Sequence, residues 1–155
     1  MRHSKVLLVI CGWLALIPIA WAQAPIIIGD VSSMSGPLAA GGVPGRQGTI
    51  MAMEEINQKG GVLGRPLQFV VRDDKSQPEE AGKVFRELAA QGVTLITGST
   101  GSATTAAMNS LARELKMPFF TTLGYSRFLT EEAGHRYFFR LITNDRVFGY
   151  TVAET

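Results

Sequence analysis

A strict alternation constrains this chain most: short apolar runs of strand length, each separated from the next by a segment of helical length and spacing. Ile26-Ile27-Ile28 is a continuous apolar run closed by Gly29-Asp30, as expected of a strand buried on both faces. Ser32 to Gly45 reads as a loop from its Ser, Gly and Pro content. A helix is predicted from about Arg46 to Lys59, with Ile50, Met53 and Ile56 on one side and Gly60-Gly61 as its stop. Gly64-Arg65-Pro66 then turns into a strand, Leu67–Val71, closed by Asp73-Asp74.

The second helix carries the clearest start signal: Ser76 with Glu79 three residues on, and Pro78 in the first turn, fits a capping box. Ala81, Val84, Phe85, Leu88 and Ala89 form its apolar side, and Gly92 stops it. Val93–Thr97 is a third strand, Gly98–Ser102 a tight polar loop, and a third helix presents Ala107, Met108, Leu111, Ala112 and Leu115. Pro118–Thr121 and Tyr137–Leu141 supply the fourth and fifth strands. Strand–helix units of this length predict an α/β fold, a doubly wound, Rossmann-like parallel sheet covered on both sides. The right-handed crossover rule makes 2-1-3-4-5 the simplest strand order.

Ligands of such sheets lie outside the carboxyl ends of the strands, near the switch in strand order. That rule gathers Val31–Gly45, Gly98–Ser102 and Thr122–Ser126 at one edge, all rich in Ser, Thr and Gly. These residues either bring hydroxyls and backbone N–H groups to a ligand or simply make turns. Ser102 stands where the third helix begins. There, free N–H groups and the positive end of the helix dipole suit a carboxylate. Capping of that helix by Ser102 or Thr104 is the equal alternative.

The N-terminus carries a different signal. Arg2, His3 and Lys5 precede the apolar run Val6–Ile19, and Ala20 and Ala22 flank Trp21. This is the pattern of a cleavable secretory signal peptide, residues 1–22. The run falls short of the roughly 20 residues that span a bilayer. Gln23, where a lipoprotein would need cysteine, argues against lipid anchoring. The only cysteine, Cys11, lies in the leader, so residues 23–155 carry no disulfide and no thiolate. Two of the fifteen Lys and Arg, Arg2 and Lys5, also belong to the leader, leaving thirteen against thirteen Asp and Glu. No basic stripe with interleaved aromatics remains, which argues against a nucleic-acid partner. At the other end, a helix-like pattern begins at Asp145 and runs out at Thr155 without a stop signal, which reads as a cut point.

Catalytic and cofactor motifs fail one by one. Gly29-Asp30-Val31-Ser32 is not a dinucleotide fingerprint, and no Gly-Lys-Ser/Thr closes a P-loop. Gly98-Ser99-Thr100-Gly101 misses the spacing of a nucleophile elbow. One histidine outside the leader, His135, and no cysteine cannot make an ordinary zinc site. His135, between Gly134 and Arg136, reads as a solvated loop residue. The pairs Glu54-Glu55, Glu79-Glu80 and Glu131-Glu132 are adjacent on helices and share no face. Asp73-Asp74 at a strand end either faces the crevice or, by preference, caps the next turn. No cofactor and no metal are expected, and the motifs point to binding.

Three groups of residues carry a resemblance. They are Asp30-Val31-Ser32-Ser33-Met34-Ser35-Gly36-Pro37; Ala52, Glu55-Ile56-Asn57 and Gly60-Gly61-Val62 with Gly64; and Asp73-Asp74. With their spacing to Gly98–Ser102 and Thr121–Tyr125, they resemble type I periplasmic solute-binding proteins of the leucine/isoleucine/valine family. The resemblance implies two Rossmann-like lobes joined by hinge strands, a small ligand trapped between them, and delivery to an inner-membrane ATP-binding-cassette permease. This chain would supply the first lobe, residues 23–155. In the family that lobe holds the ligand's carboxylate and amine, through a serine matching Ser102, a backbone carbonyl matching Leu123, and a threonine where this chain has Tyr125. Ser99 and Gly101, in the same loop as Ser102, are further candidate ligand-binding residues. The stretch Leu38-Ala39-Ala40-Gly41-Gly42 lacks the aromatic that often lies against the ligand. Tyr125 either refills that space, admitting an aromatic acid, an amide or a urea-like compound, or points outward.

The leading expectation is therefore a periplasmic, non-catalytic binding component for branched-chain amino acids or a related small carboxylate or amide. A ligand-sensing domain of the same fold is the alternative. An exported hydrolase would need His135 as the base for Ser99 or Ser102. A single lobe by itself would offer half a site and bind weakly.

Overall fold

The computed structural model describes residues 24–147 and 149. The expected leader and its cleavage point, with Cys11, lie outside the described residues, as does most of the tail beyond Val147. Elements follow in the order β1 (Ile26–Ser32), α1 (Ala39–Gln58), β2 (Leu67–Asp73), α2 (Pro78–Ala90), β3 (Leu95–Gly98), α3 (Ser102–Leu115), β4 (Phe119–Thr121), α4 (Phe128–Glu131) and β5 (Phe138–Arg140). Among the described residues, five parallel strands form one sheet in the order β2-β1-β3-β4-β5. The doubly wound topology expected from the sequence is the one observed.

Alternation along the strands divides the core in two. Ile27, Val31, Ile96, Phe119 and Phe138 face α2 and α3, which contribute Ala81, Val84, Phe85, Leu88, Met108, Leu111 and Ala112. Phe85 meets Phe119 edge to face at 5.6 Å between ring centroids, a favoured aromatic geometry. Gly29 is required where α2 presses on β1: a Cβ there would stand 3.0 Å from Leu88 Cδ1. The opposite face is only partly covered. There α1 lies over β1 and β2, while Phe69, Leu95, Phe120 and Leu141 line an open apolar groove of about 370 Å³. Phe139 and Leu141 are exposed.

Four local expectations need correction. β1 does not end at Ile28 but runs to Ser32, because Asp30 is accommodated inside the sheet edge instead of turning the chain. The stretch read as loop to Gly45 is helical from Ala39, so α1 contains Gly41, Gly42, Pro44 and Gly45. The capping box at Ser76 does not form. Gln77 is the N-cap of α2 and no side chain bonds there. Ser76 adopts φ +62°, donates its hydroxyl to the Ser35 carbonyl at 2.9 Å and accepts the Leu38 N–H at 3.1 Å. Pro78 opens α2 and Gly60 and Gly61 close α1, as expected. β3 begins at Leu95, two residues later than expected, and ends at Gly98.

Candidate functional site

The carboxyl ends of the strands converge on one edge, and hydrogen bonds tie the loops there into a single surface. The first loop is held from β2. Asp73 accepts the N–H groups of Met34 (2.9 Å), Ser35 (3.3 Å) and Lys75 (2.8 Å) and the Ser35 hydroxyl (2.6 Å). Burial alone would raise this carboxyl; the Ser35 hydroxyl and the three N–H groups outweigh it and hold the pKa below the usual carboxylate value. Asp74 is fully buried and accepts the Ser33 hydroxyl at 2.6 Å and the Ser76 N–H at 2.8 Å. Of the two roles open to this pair, their bonds to the Lys75 and Ser76 N–H groups serve the capping of the next turn, and the rest brace the first loop.

The second loop turns on Ser99, which adopts φ +72° and is 1 % exposed. Its hydroxyl bonds Thr105 Oγ1 at 2.6 Å, Thr104 Oγ1 at 3.1 Å and the Gly101 carbonyl at 3.2 Å. The chain of hydroxyls continues through Thr121, which accepts the Gly124 N–H at 3.2 Å. Ser99 thus shapes the loop from within. Gly101 turns its carbonyl inward to accept the hydroxyls of Thr104 and Thr105, both at 2.8 Å.

Those commitments leave the start of α3 open. Gly101 is the N-cap, and no side chain bonds the first N–H groups. Thr104 points its hydroxyl at a carbonyl, and Ser102 turns its Oγ across to the third loop, where it accepts the Ser126 N–H at 3.1 Å. Neither residue caps the helix. The uncapped N–H groups and the dipole make this a point of the edge that attracts anions.

The third loop is stitched to the second by Leu123 N–H and the Thr122 hydroxyl, both donating to the Ser99 carbonyl at 3.2 Å. Among the described residues no donor reaches the Leu123 carbonyl. Tyr125 is half-buried, and its carbonyl accepts bonds from the Asp145 N–H and from Arg140 Nη1, both at 2.9 Å. Arg140 also donates to the Ser126 carbonyl at 2.6 Å and so braces this loop from β5. Burial lowers the Arg140 pKa, with Asp145 and Glu131 offsetting part of the shift. Ser102, Leu123 and the Tyr125 backbone are therefore brought together, with Ser99 and Gly101 beneath them.

Sequence reasoning passed over Asp30, Thr100, Thr105, Thr121 and Arg140. Thr100, Thr105, Thr121 and Arg140 act through partners well separated in the chain, which no local pattern announces; the Asp30 carboxylate bonds Ser32, two residues on. Asp30 lines a cavity of about 130 Å³ with Ser32, Gly41, Gly42, Thr100 and Leu123, among others. Burial pushes its carboxyl above the ordinary value; the Ser32 hydroxyl and the Arg46 charge offset part of that, while Asp74 adds to the rise.

His135 lies at the amino end of β5, the edge opposite the loops that hold Ser99 and Ser102. It lies in a loop, as expected, and is half-buried: Nε2 bonds the Asn109 carbonyl at 3.0 Å and Nδ1 accepts the Tyr137 N–H at 3.2 Å. No cluster of metal-ligating residues occurs among the described residues, and no helix among them is long and apolar enough to cross a membrane.

This architecture has close counterparts. A sequence-family model described as periplasmic binding protein matches residues 25–154. The leucine-, isoleucine-, valine-, threonine- and alanine-binding protein of Pseudomonas aeruginosa is 30 % identical over 128 residues, which cover 83 % of this chain and 34 % of that protein. The Leu/Ile/Val-binding protein of Escherichia coli K12 is 35 % identical over 102 residues, 66 % of this chain and 28 % of that one. Among solved structures, the branched-chain amino acid transporter substrate-binding protein LivJ of Streptococcus pneumoniae, in complex with isoleucine, superimposes with a TM-score of 0.74 at 33 % identity. That alignment covers 78 % of this chain and 34 % of that one. The chain thus spans about a quarter to a third of the length of the curated relatives it matches. Sheet order, loop convergence and a family match across nearly every described residue agree: the chain belongs to the periplasmic binding protein family.

Proposed function

We propose that this lobe forms one wall of the ligand cleft in the substrate-binding component of an ATP-binding-cassette importer. It takes a branched-chain amino acid, or a related small carboxylate or amide, without catalysis. The observation that carries this reading is the uncapped start of α3 beside Ser102 and the unbonded Leu123 carbonyl. Uncapped N–H groups and a hydroxyl suit a carboxylate, and a carbonyl suits an ammonium. The P. aeruginosa, E. coli and S. pneumoniae relatives bear names that specify binding of such ligands. The lobe acts after export to the periplasm and cleavage following Ala22, and hands its ligand to an inner-membrane permease.

The test is a thermal-shift screen of the full-length gene product against L-amino acids, their amides and aromatic acids. Saturable stabilisation by one class supports the reading. Silence across the whole panel refutes it.

A further inference from the structure

A cavity lies beside the loops at the carboxyl edge, and its polar wall is unusual. Asp30 is 2 % exposed, yet only one of its carboxylate oxygens is satisfied. Oδ1 accepts the Ser32 hydroxyl at 2.9 Å, whereas Oδ2 is buried with no hydrogen-bond partner. An unsatisfied buried carboxylate oxygen is costly, and its presence calls for a partner. Arg46 acts on Asp30 through its charge and its Nε is likewise buried without a partner, yet no ion pair or hydrogen bond joins the two among the described residues.

The cavity is placed to be reached from the cleft. Leu123 and Thr100, which belong to the two loops around Ser102, also form its wall. Across from them stands the first turn of α1, where Gly41 and Gly42 carry no side chain into the space. A Cβ on Gly41 would lie 3.2 Å from Thr100 Cγ2 and 3.6 Å from Leu123 Cδ1. A side chain at Gly41 would therefore crowd the wall that Thr100 and Leu123 form.

We propose that Asp30 is a specificity-determining residue of the cleft, whose free oxygen accepts a hydrogen bond from an O–H or N–H group on the ligand's tail. The lobe then selects small amino acids with a donor-bearing tail over aliphatic ones of the same shape. This rests on the small-ligand reading given under Proposed function and deepens it. The logic is that of any site built to hydrogen-bond a substrate: an analogue without the donor leaves the buried oxygen unpaired.

Two nearly isosteric pairs isolate the donor: threonine against valine, and asparagine against leucine. In calorimetric titrations of the full-length gene product, threonine and asparagine should bind at least 10-fold more tightly than their aliphatic partners. Asp30→Val should abolish both preferences. Asp30→Asn keeps the shape and the Ser32 contact; it should narrow both ratios and serves if the valine variant does not fold. Tighter binding of valine and leucine by the unaltered protein, or ratios unchanged in both variants, would overturn the role of Asp30 while leaving the binding function standing. Absence of binding by every compound would overturn both.

Discussion

Ser102 Oγ accepts the backbone N–H of Ser126 at 3.1 Å, a bond that spans two loops 24 residues apart in the chain. It draws the loop after β4 onto the start of α3 and leaves the first N–H groups of that helix uncapped. Ser102→Ala should therefore act twice. Loss of the bridge costs about 1 kcal/mol of stability, and loss of a hydroxyl facing a carboxylate costs about 1.5–3 kcal/mol of ligand binding, tenfold or more. Thermal unfolding and calorimetric titration of one variant separate the effects. An unchanged dissociation constant would remove Ser102 from the site.

The glycines at the start of α1 differ in kind. A Cβ on Gly42 would overlap the Ser33 carbonyl and stand 3.0 Å from Thr100 Oγ1, whereas one on Gly45 meets nothing within 4 Å. Gly42→Ala should push α1 off the β1 loop and destabilise by more than about 2 kcal/mol, in the range of overpacked cores. Gly45→Ala should stabilise by about 0.5–1 kcal/mol, the helix-interior preference for alanine. Urea midpoints of the two variants should move in opposite directions. Equal effects would contradict the close packing at Gly42.

Two carboxylates should give opposite pH signatures. Asp30 is held above its ordinary pKa, so folding favours its protonated form; stability falls as pH rises from the ordinary carboxylate value, about 4, through the raised one. Asp73 is held below its ordinary pKa, so its contribution is present above about pH 4 and is lost as pH falls through the lowered value. Asp30→Asn should raise the neutral-pH melting temperature and Asp73→Asn should lower it, with both differences shrinking in acid. Melting curves across pH 3–7 check the signs, and parallel shifts in the same direction would contradict them.

Tyr125 anchors its backbone through its carbonyl to Arg140 and to the Asp145 N–H. Tyr125→Thr should keep the fold and change the rank order of ligands, favouring aliphatic over planar ones. A competition assay measures the order, and an unaltered order would place the ring outside the cleft.

The sheet was legible because buried parallel strands and amphipathic helices leave strong periodic marks, as at Ile26–Ile28 and along Ala81–Leu88. What misled were residues whose role is set by a distant partner. Gly41, Gly42 and Gly45 carry the composition of a loop, yet α1 includes them, and at Gly42 the reason is the close approach of Ser33. Ser76 and Glu79 have the spacing of a capping box, but the Ser76 hydroxyl is claimed by Ser35 and Leu38 of the neighbouring loop. Asp30 reads as a strand terminator, and only the cavity beside Gly98, Thr100 and Leu123 explains a carboxylate within β1. The place of Ser102 and Leu123 in loops at the carboxyl edge of the sheet was readable from the strand–helix alternation. The hydroxyl chain from Ser99 to Thr121 that supports them was not, since it joins residues of three elements.

The central claim, binding of a small ligand without chemical change, is tested most directly by one titration. The full-length gene product is titrated calorimetrically with the best ligand from the screen, and the ligand is then released and identified by mass spectrometry. The account predicts a single saturable site, a dissociation constant weakened at least tenfold by Ser102→Ala, and a ligand recovered with its mass unchanged. A ligand recovered as a cleaved or otherwise altered product, or heat that continues without saturation, would contradict it.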